Sequence, residues 1–284
     1  MSTPALRLAA LRETMKQRGL AGWIIPSADP HLSEYLPEHW QTRSWLSGFT
    51  GSAGTLVVSA DEAALWADSR YWEQAEQQLA GSGIVLEKLG LGGSSIEWLV
   101  NKLPQGAVVG VAPDMLSLLA KRQLQSAFAE KKLVLQHQED LVDAFWLDRP
   151  TLPQGTIYIH PAEYTAQSAA EKLAAIRAVM QKKQADHHLI SSLDDIAWIT
   201  NLRGNDVFYN PVFLSHLLID AQQAVLFVDE SKLDDTTRQW LADAGISTAD
   251  YQTLNDAVGR IRGTLLISPA KVAVSSLQCL SEKV

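Results

Sequence analysis

Only one cysteine occurs in the 284 residues, Cys279, so no disulfide can close within the chain. A lone thiol suits a reducing compartment, and nothing nearby in sequence marks it as a reactive one. Long apolar runs are missing too. No stretch approaches the ~20 residues needed to span a bilayer, and the opening MSTPALRLAALRETMKQRGL lacks the continuous apolar segment of a secretory signal. Positive charge is scarce: 24 Lys and Arg against 32 Asp and Glu leave a net charge of −8. An acidic surface repels phosphate backbones and anionic lipid. The expectation is a cytoplasmic protein with no nucleic-acid and no membrane partner. Familiar catalytic signatures are also lacking. There is no Gly-x-Ser-x-Gly elbow to present a nucleophile, no dinucleotide fingerprint, and no Gly-Lys-Ser/Thr after a glycine loop.

What is present is a globular composition, 46% hydrophobic and 20% charged, in a length that suits two domains. The first helix is well punctuated. Thr3 stands at its cap and Pro4 in its first turn, where a missing N–H costs nothing. Leu8, Leu11 and Met15 share one face, and Gly19 suits a left-handed stop. GWIIP reads as a buried strand, and TLVVSADEAALWADSR as a hairpin turning at Ala60–Glu62. IVLEKL, AVVGVA and KLVLQ are further strands, with helices at YWEQAEQQL, SIEWLVNKL and LSLLAKRQLQSAFAEK. Strand–helix–strand order implies an α/β sheet. DAFWLDRPTLPQG has linker character, which places a boundary near Arg149–Gly155 and divides the chain into residues 1–150 and 151–284.

Beyond that boundary the pattern restarts. Leu173, Ile176 and Met180 repeat the spacing of Leu8, Leu11 and Met15, behind a capping box of Ser168 and Glu171. Trp198 and Gly204 echo Trp45 and Gly51, AVLFVDES echoes AALWADSR with Asp229 for Asp68, and a second hairpin turns at Asp220–Gln223. Two homologous α/β domains in tandem are expected, each a mixed sheet flanked by helices. From Leu8 to Trp45 is 37 positions and from Leu173 to Trp198 is 25. The first copy thus carries 12 extra residues around ADPHLSEYLPEH, a place where a repeated scaffold gains either function or a neutral insertion.

Several groups stand out as candidates. GFTGSAG, with Gly48, Gly51 and Gly54, precedes the strand TLVVS rather than opening a helix, so no helix N-terminus waits for a phosphate. Tight turning and close backbone approach fit it better. A nucleotide-binding α/β enzyme stays as the weaker alternative. Asp29, His31 and Glu34 lie along a proline-interrupted loop, which reads as a polar loop sooner than as a metal site. Adjacent His187 and His188 would point to opposite faces of a strand. Arg43 and Arg70, beside Trp45 and Tyr71, are each able to grip a carboxylate bidentately or to serve as structural ion pairs with Asp68 or Glu34. The nine tryptophans read as core and interface residues.

PSADPHLSEYLPE, WLSGFTGSAGTLVV, ALWADSRY, FWLDRPTLP, SSLDDIAWITNLRGNDVFYNPV and LLID, in that order, together resemble the amino-terminal half of an Xaa-Pro aminopeptidase, a family related to creatinase and prolidase. The resemblance covers the chain from the first helix to about Ala270. It implies two tandem creatinase/prolidase N-terminal-type domains, with the catalytic pita-bread domain absent from these 284 residues. That missing domain would carry two divalent metal ions, manganese as a rule, on two Asp, one His and two Glu. A metal-bridging hydroxide there would cleave before a proline at the second position of a peptide. By this resemblance the chain is a non-catalytic portion, with no metal or cofactor and no catalytic residue of its own. It is expected to contribute to an active-site entrance and to a homodimer interface. His31, Arg43 and Arg70 become entrance candidates, and Arg203, Asp206, Tyr209 and Asn210 candidates for interdomain contact. The alternative is a stand-alone, non-enzymatic peptide-binding or regulatory module. A fragment, a split gene product and a naturally shortened relative are all open.

Overall fold

The computed structural model describes residues 3–137 and 139–280. The chain falls into two compact units. The first comprises Met1–Asp29 and Glu38–Thr151, the second Pro30–Pro37 and Leu152–Val284. The division after residue 151 lies at the proline-rich linker. Pro30–Pro37, however, belongs with the second unit although it lies within the first repeat in sequence.

The first unit runs α1 (Pro4–Gln17), β1 (Gly22–Pro26), α2 (Thr42–Ser47), β2 (Thr55–Ser59), β3 (Ala63–Ala67), α3 (Trp72–Gln78), β4 (Val85–Lys88), α4 (Ser95–Lys102), β5 (Val108–Val111), α5 (Leu118–Ala129) and β6 (Val134–His137). The Thr3 hydroxyl accepts from Leu6 N at the cap of α1, and Leu8, Leu11 and Met15 are its buried residues. The sheet order is β4-β3-β2-β1-β5-β6. The β1/β2 and β2/β3 pairs are antiparallel; β3/β4, β1/β5 and β5/β6 are parallel. All five residues of β3 are buried, as expected of a central strand covered on both faces.

The second unit runs β7 (Tyr158–Ile159), α6 (Ala169–Lys182), β8 (His187–Ile190), α7 (Leu193–Thr200), β9 (Leu202–Arg203), β10 (Ser215–Asp220), β11 (Ala224–Val228), α8 (Asp235–Asp243), β12 (Ile246–Asp250), α9 (Leu254–Gly259) and β13 (Leu265–Leu266). Its main sheet has the order β12-β11-β10-β8-β13. The β8/β10 and β10/β11 pairs are antiparallel, and β11/β12 and β8/β13 are parallel. Strand for strand this is the arrangement of β4-β3-β2-β1-β5, with β7 and β9 forming a separate ribbon. Alternation along β11 sends Leu226 and Val228 into a core shared with α6, α7 and α8. Phe227 faces the opposite core, with Leu254, Val258 and Val272. The sheet is therefore covered on both faces.

The duplication extends to polar details that the pattern of apolar residues did not reveal. Arg7 on α1 bonds the Trp45 carbonyl and lies over the Trp45 ring, 4.5 Å from its centroid. Lys172 on α6 bonds the Trp198 carbonyl (2.6 Å) and lies 4.3 Å from the Trp198 centroid. Arg12 donates to Ser59 O (3.0 Å) and Arg177 to Asp220 O (2.9 Å), each at the end of the equivalent strand. Asp68 and Asp229 both accept from the amide two residues on (3.0 Å each). The left-handed stops recur with different residues: Gly19 (φ 68) against Gln184 (φ 54), and Gly48 (φ 77) against Asn201 (φ 55).

Candidate functional site

In the first unit, Arg43 is 5% exposed. Its Nε donates to Ser27 Oγ (2.7 Å), Nη1 to Phe49 O (2.9 Å) and Nη2 to Gly51 O. Burial draws its pKa down to about 10. The guanidinium is thus enclosed by the glycine-rich turn and has no free edge for a ligand carboxylate, so the structural reading of Arg43 replaces the entrance one. The same contacts explain the glycines. Gly48 ends α2 in the left-handed region. A Cβ on Gly51 would stand 2.3 Å from Phe49 Cζ, so only glycine lets the turn close over the ring. Arg70 is exposed and forms a two-pronged pair with Asp68 at 2.9 and 2.8 Å, which is the structural alternative anticipated for it. Such an exposed pair is worth at most about 1 kcal/mol.

His31 belongs to the second unit and is buried. Its Nδ1–H donates to Ser191 O (2.9 Å), and Nε2 is hydrogen-bonded to the Tyr251 hydroxyl (2.9 Å). The ring of His216, buried on β10, lies tilted 4.5 Å from the His31 ring and stacks 5.3 Å from Tyr251. Its Nδ1 lies 2.9 Å from Ser191 Oγ. Burial, and next the neighbouring His31, push the His216 pKa well below its ordinary value. Two imidazoles, a phenol and a serine thus lock the Pro30–Pro37 segment into the second unit. Glu34 is exposed and takes no part in this lock. Among the described residues no three His, Cys, Asp or Glu side chains converge to hold a metal ion. The described residues therefore do not fit a dinuclear metal centre.

The block RGNDVFYNPV forms a loop held from beneath. Asp206 is buried and accepts from Gly155 N (3.1 Å), Leu214 N (2.8 Å) and Lys232 Nζ (2.7 Å). Arg203 donates to Ala197 O (2.7 Å) and Leu202 O (2.8 Å), and Asn210 Nδ2 to Asp194 Oδ1 (3.1 Å). The loop so anchored presents Phe208 and Tyr209, 73% and 92% exposed, with Tyr209 at φ 65. Of the four contact candidates, Tyr209 is the one offered to solvent; Arg203, Asp206 and Asn210 hold the loop that carries it. Phe208, Lys232, His216 and Tyr251 were not singled out in the sequence. A histidine inside the apolar strand SHLLID was the one available signal for the buried cluster.

These two topologically equivalent units have counterparts among known proteins. Two family models, each described as a creatinase/prolidase N-terminal domain, match the chain, one over residues 7–144 and the other over residues 148–284. The chain belongs to the creatinase/prolidase N-terminal domain family. A probable Xaa-Pro aminopeptidase P of Neurospora crassa is 41% identical over 256 residues, 87% of this chain and 37% of the relative. Aminopeptidase P2 of Arabidopsis thaliana is 38% identical over 278 residues, 95% of this chain and 39% of the relative. The chain thus spans about two fifths of the length of these curated relatives. The crystal structure of an X-prolyl aminopeptidase from Caenorhabditis elegans, described as a cytosolic enzyme with a di-nuclear active site, matches with a TM-score of 0.93. It is 28% identical, and the match covers 100% of this chain and 49% of that one. The tandem creatinase/prolidase N-terminal-type domains, each a mixed sheet with flanking helices, are what these relatives share with the chain.

Proposed function

We propose that this polypeptide is the amino-terminal portion of a metal-dependent Xaa-Pro aminopeptidase. In it the two units help shape an active-site entrance and a dimer interface rather than perform the chemistry. The observation that carries the reading is the match of the whole chain to about half of the C. elegans X-prolyl aminopeptidase. Two divalent ions, manganese in this reading, are held outside these units, since the described residues offer no converging ligand set. Such ions would supply an activated hydroxide and polarise the scissile carbonyl. The substrate is a peptide with proline in second position, the assembly a homodimer and the compartment the cytoplasm. No helix of the described residues is long and apolar enough to cross a membrane. Tyr209 and Phe208, exposed on an anchored loop, are the surface most suited to meet another domain.

The test compares a Gly-Pro-type tripeptide incubated with Mn²⁺ and the 284-residue polypeptide, and with the product of the uninterrupted gene. Release of the first residue by the gene product alone is expected. Release by the 284-residue polypeptide, or a gene product that lacks both activity and a metal-ligand domain, overturns the reading. The second outcome favours a stand-alone binding module.

A further inference from the structure

The second unit opens a cavity of about 240 Å³ beyond the carboxyl ends of β8 and β13. These strands are parallel neighbours. The connection from β8 enters α7, whose Ile196 and Ile199 pack on one face of the sheet. The connection from β13 reaches Val272, on the other face. A crevice where neighbouring strands send their connections to opposite faces is the standard ligand position of open α/β sheets.

The two copies differ in the residues that border this position. By the strand registers, Gly22 pairs with Ser59 as His187 pairs with Asp220, so Ser27 and Ser192 are equivalent. The Ser27 hydroxyl donates to Gly54 O (3.0 Å) and accepts from Arg43 Nε (2.7 Å). At Ser192 the residue in the place of Arg43 is Ile196, two before Trp198 as Arg43 is two before Trp45. Ser192 is 6% exposed and sits at the N-cap of α7, yet its hydroxyl caps no helix amide. This uncapped hydroxyl lines the cavity. Asp195 and Lys271 stand at the cavity with exposed side chains. Among the described residues neither joins the unit's salt bridges, Lys232–Asp206 and Arg238–Glu230. The walls are aliphatic, Ile176 and Val272 among them, together with the half-exposed indole of Trp198. Lys172 holds that indole in place.

We infer that this cavity binds a free hydrophobic α-amino acid. The ligand carboxylate faces Lys271 and the Ser192 hydroxyl, its ammonium faces Asp195, and its side chain lies between Trp198 and the aliphatic wall. A simple anion is disfavoured, because Asp194 and Asp195 in the first turn offset the positive end of α7. The volume lies below the roughly 300–1,000 Å³ of drug-sized sites, which limits the occupant to about this size. The inference concerns a site within the second unit and does not depend on any peptidase activity.

The test is calorimetric titration of the 284-residue polypeptide with L-leucine and L-phenylalanine, beside N-acetyl-L-leucine and L-leucinamide. Saturable binding of the free amino acids is expected. Loss of either charge from the ligand should weaken it about tenfold or more, as should Lys271→Gln or Asp195→Asn. Both positions are exposed, so the fold is retained, and circular dichroism checks it. N-acetyl-L-leucine, lacking the ammonium, should be indifferent to Asp195→Asn. No saturable heat from either amino acid, equal binding of capped and free leucine, or full binding by Lys271→Gln overturns the inference.

Discussion

Replacing Lys232 by methionine isolates the energetics of the loop that carries Phe208 and Tyr209. Lys232 and Asp206 have side chains only 3% and 0% exposed, and Nζ lies 2.7 Å from Oδ2. Methionine keeps the length and apolar stem but leaves a buried carboxylate without its counter-charge. Breaking a buried pair from one side costs about 3–5 kcal/mol. Asp206 keeps two amide donors, Gly155 N and Leu214 N, which still stabilise its charge, so the lower end, about 3 kcal/mol, is expected. With a urea slope of about 2 kcal/mol per molar, the unfolding midpoint of the second unit should fall by about 1.5 M. Amide hydrogen exchange in β10 and β11 follows that unit, and chymotrypsin reports the loop, since cleavage at Phe208 and Tyr209 should quicken. Adding Asp206→Asn removes the stranded charge, so the double variant should recover part of the loss. A single variant within about 1 kcal/mol of the parent, or a double variant no better than the single, would refute this account of the loop.

Two more outcomes follow from the same geometry. Folding holds His216 neutral, with its pKa well below the ordinary 6.5, so the unfolded chain takes up its proton first as pH falls. Its contribution is complete above about pH 6.5 and is lost below it, by up to about 1.4 kcal/mol per pH unit. His216→Gln should flatten that acid limb in urea titrations at pH 7 and 5.5, and an unchanged slope would contradict the buried neutral imidazole. Arg43→Lys should cost about 2 kcal/mol or more, because one ammonium cannot reach Ser27, Phe49 and Gly51 together. Arg70→Lys should shift stability by less than about 0.5 kcal/mol, and thermal melts giving the two variants equal losses would count against the contrast.

The repeated fold was legible because it rests on local periodicity. Leu8, Leu11 and Met15 and their counterparts follow helical spacing, and the hairpins declare themselves by composition. Where the copies diverge chemically, the signal faded. The left-handed stop after α1 is a glycine while its counterpart is Gln184, and a glutamine carries no turn signature. Arg7 and Lys172 do the same work on their tryptophans, but a cation in a helix reads as solvated surface until its partner is known. Nor could local reading assign Pro30–Pro37 to the second unit. The partners of His31 lie far along the chain, at Ser191, His216 and Tyr251, and their meeting is a tertiary fact with no sequence period behind it.

The pair Ser27 and Ser192 carries that argument to function. One serine occupies the same turn in both copies, at the carboxyl end of the first strand of each sheet. Where an arginine follows on the next helix, the hydroxyl, the guanidinium and the carbonyls of a glycine-rich turn satisfy one another. Where Ile196 takes the arginine's place, that network cannot form. The serine keeps its position without that guanidinium, and a cavity with an indole rim and two uncommitted charges remains. The same turn thus carries a closed polar network in one copy and borders a cavity in the other. Arg43→Ile should remove the guanidinium's bonds to Ser27, Phe49 and Gly51 and unsettle the GFTGSAG turn without disturbing amino-acid binding in the second unit.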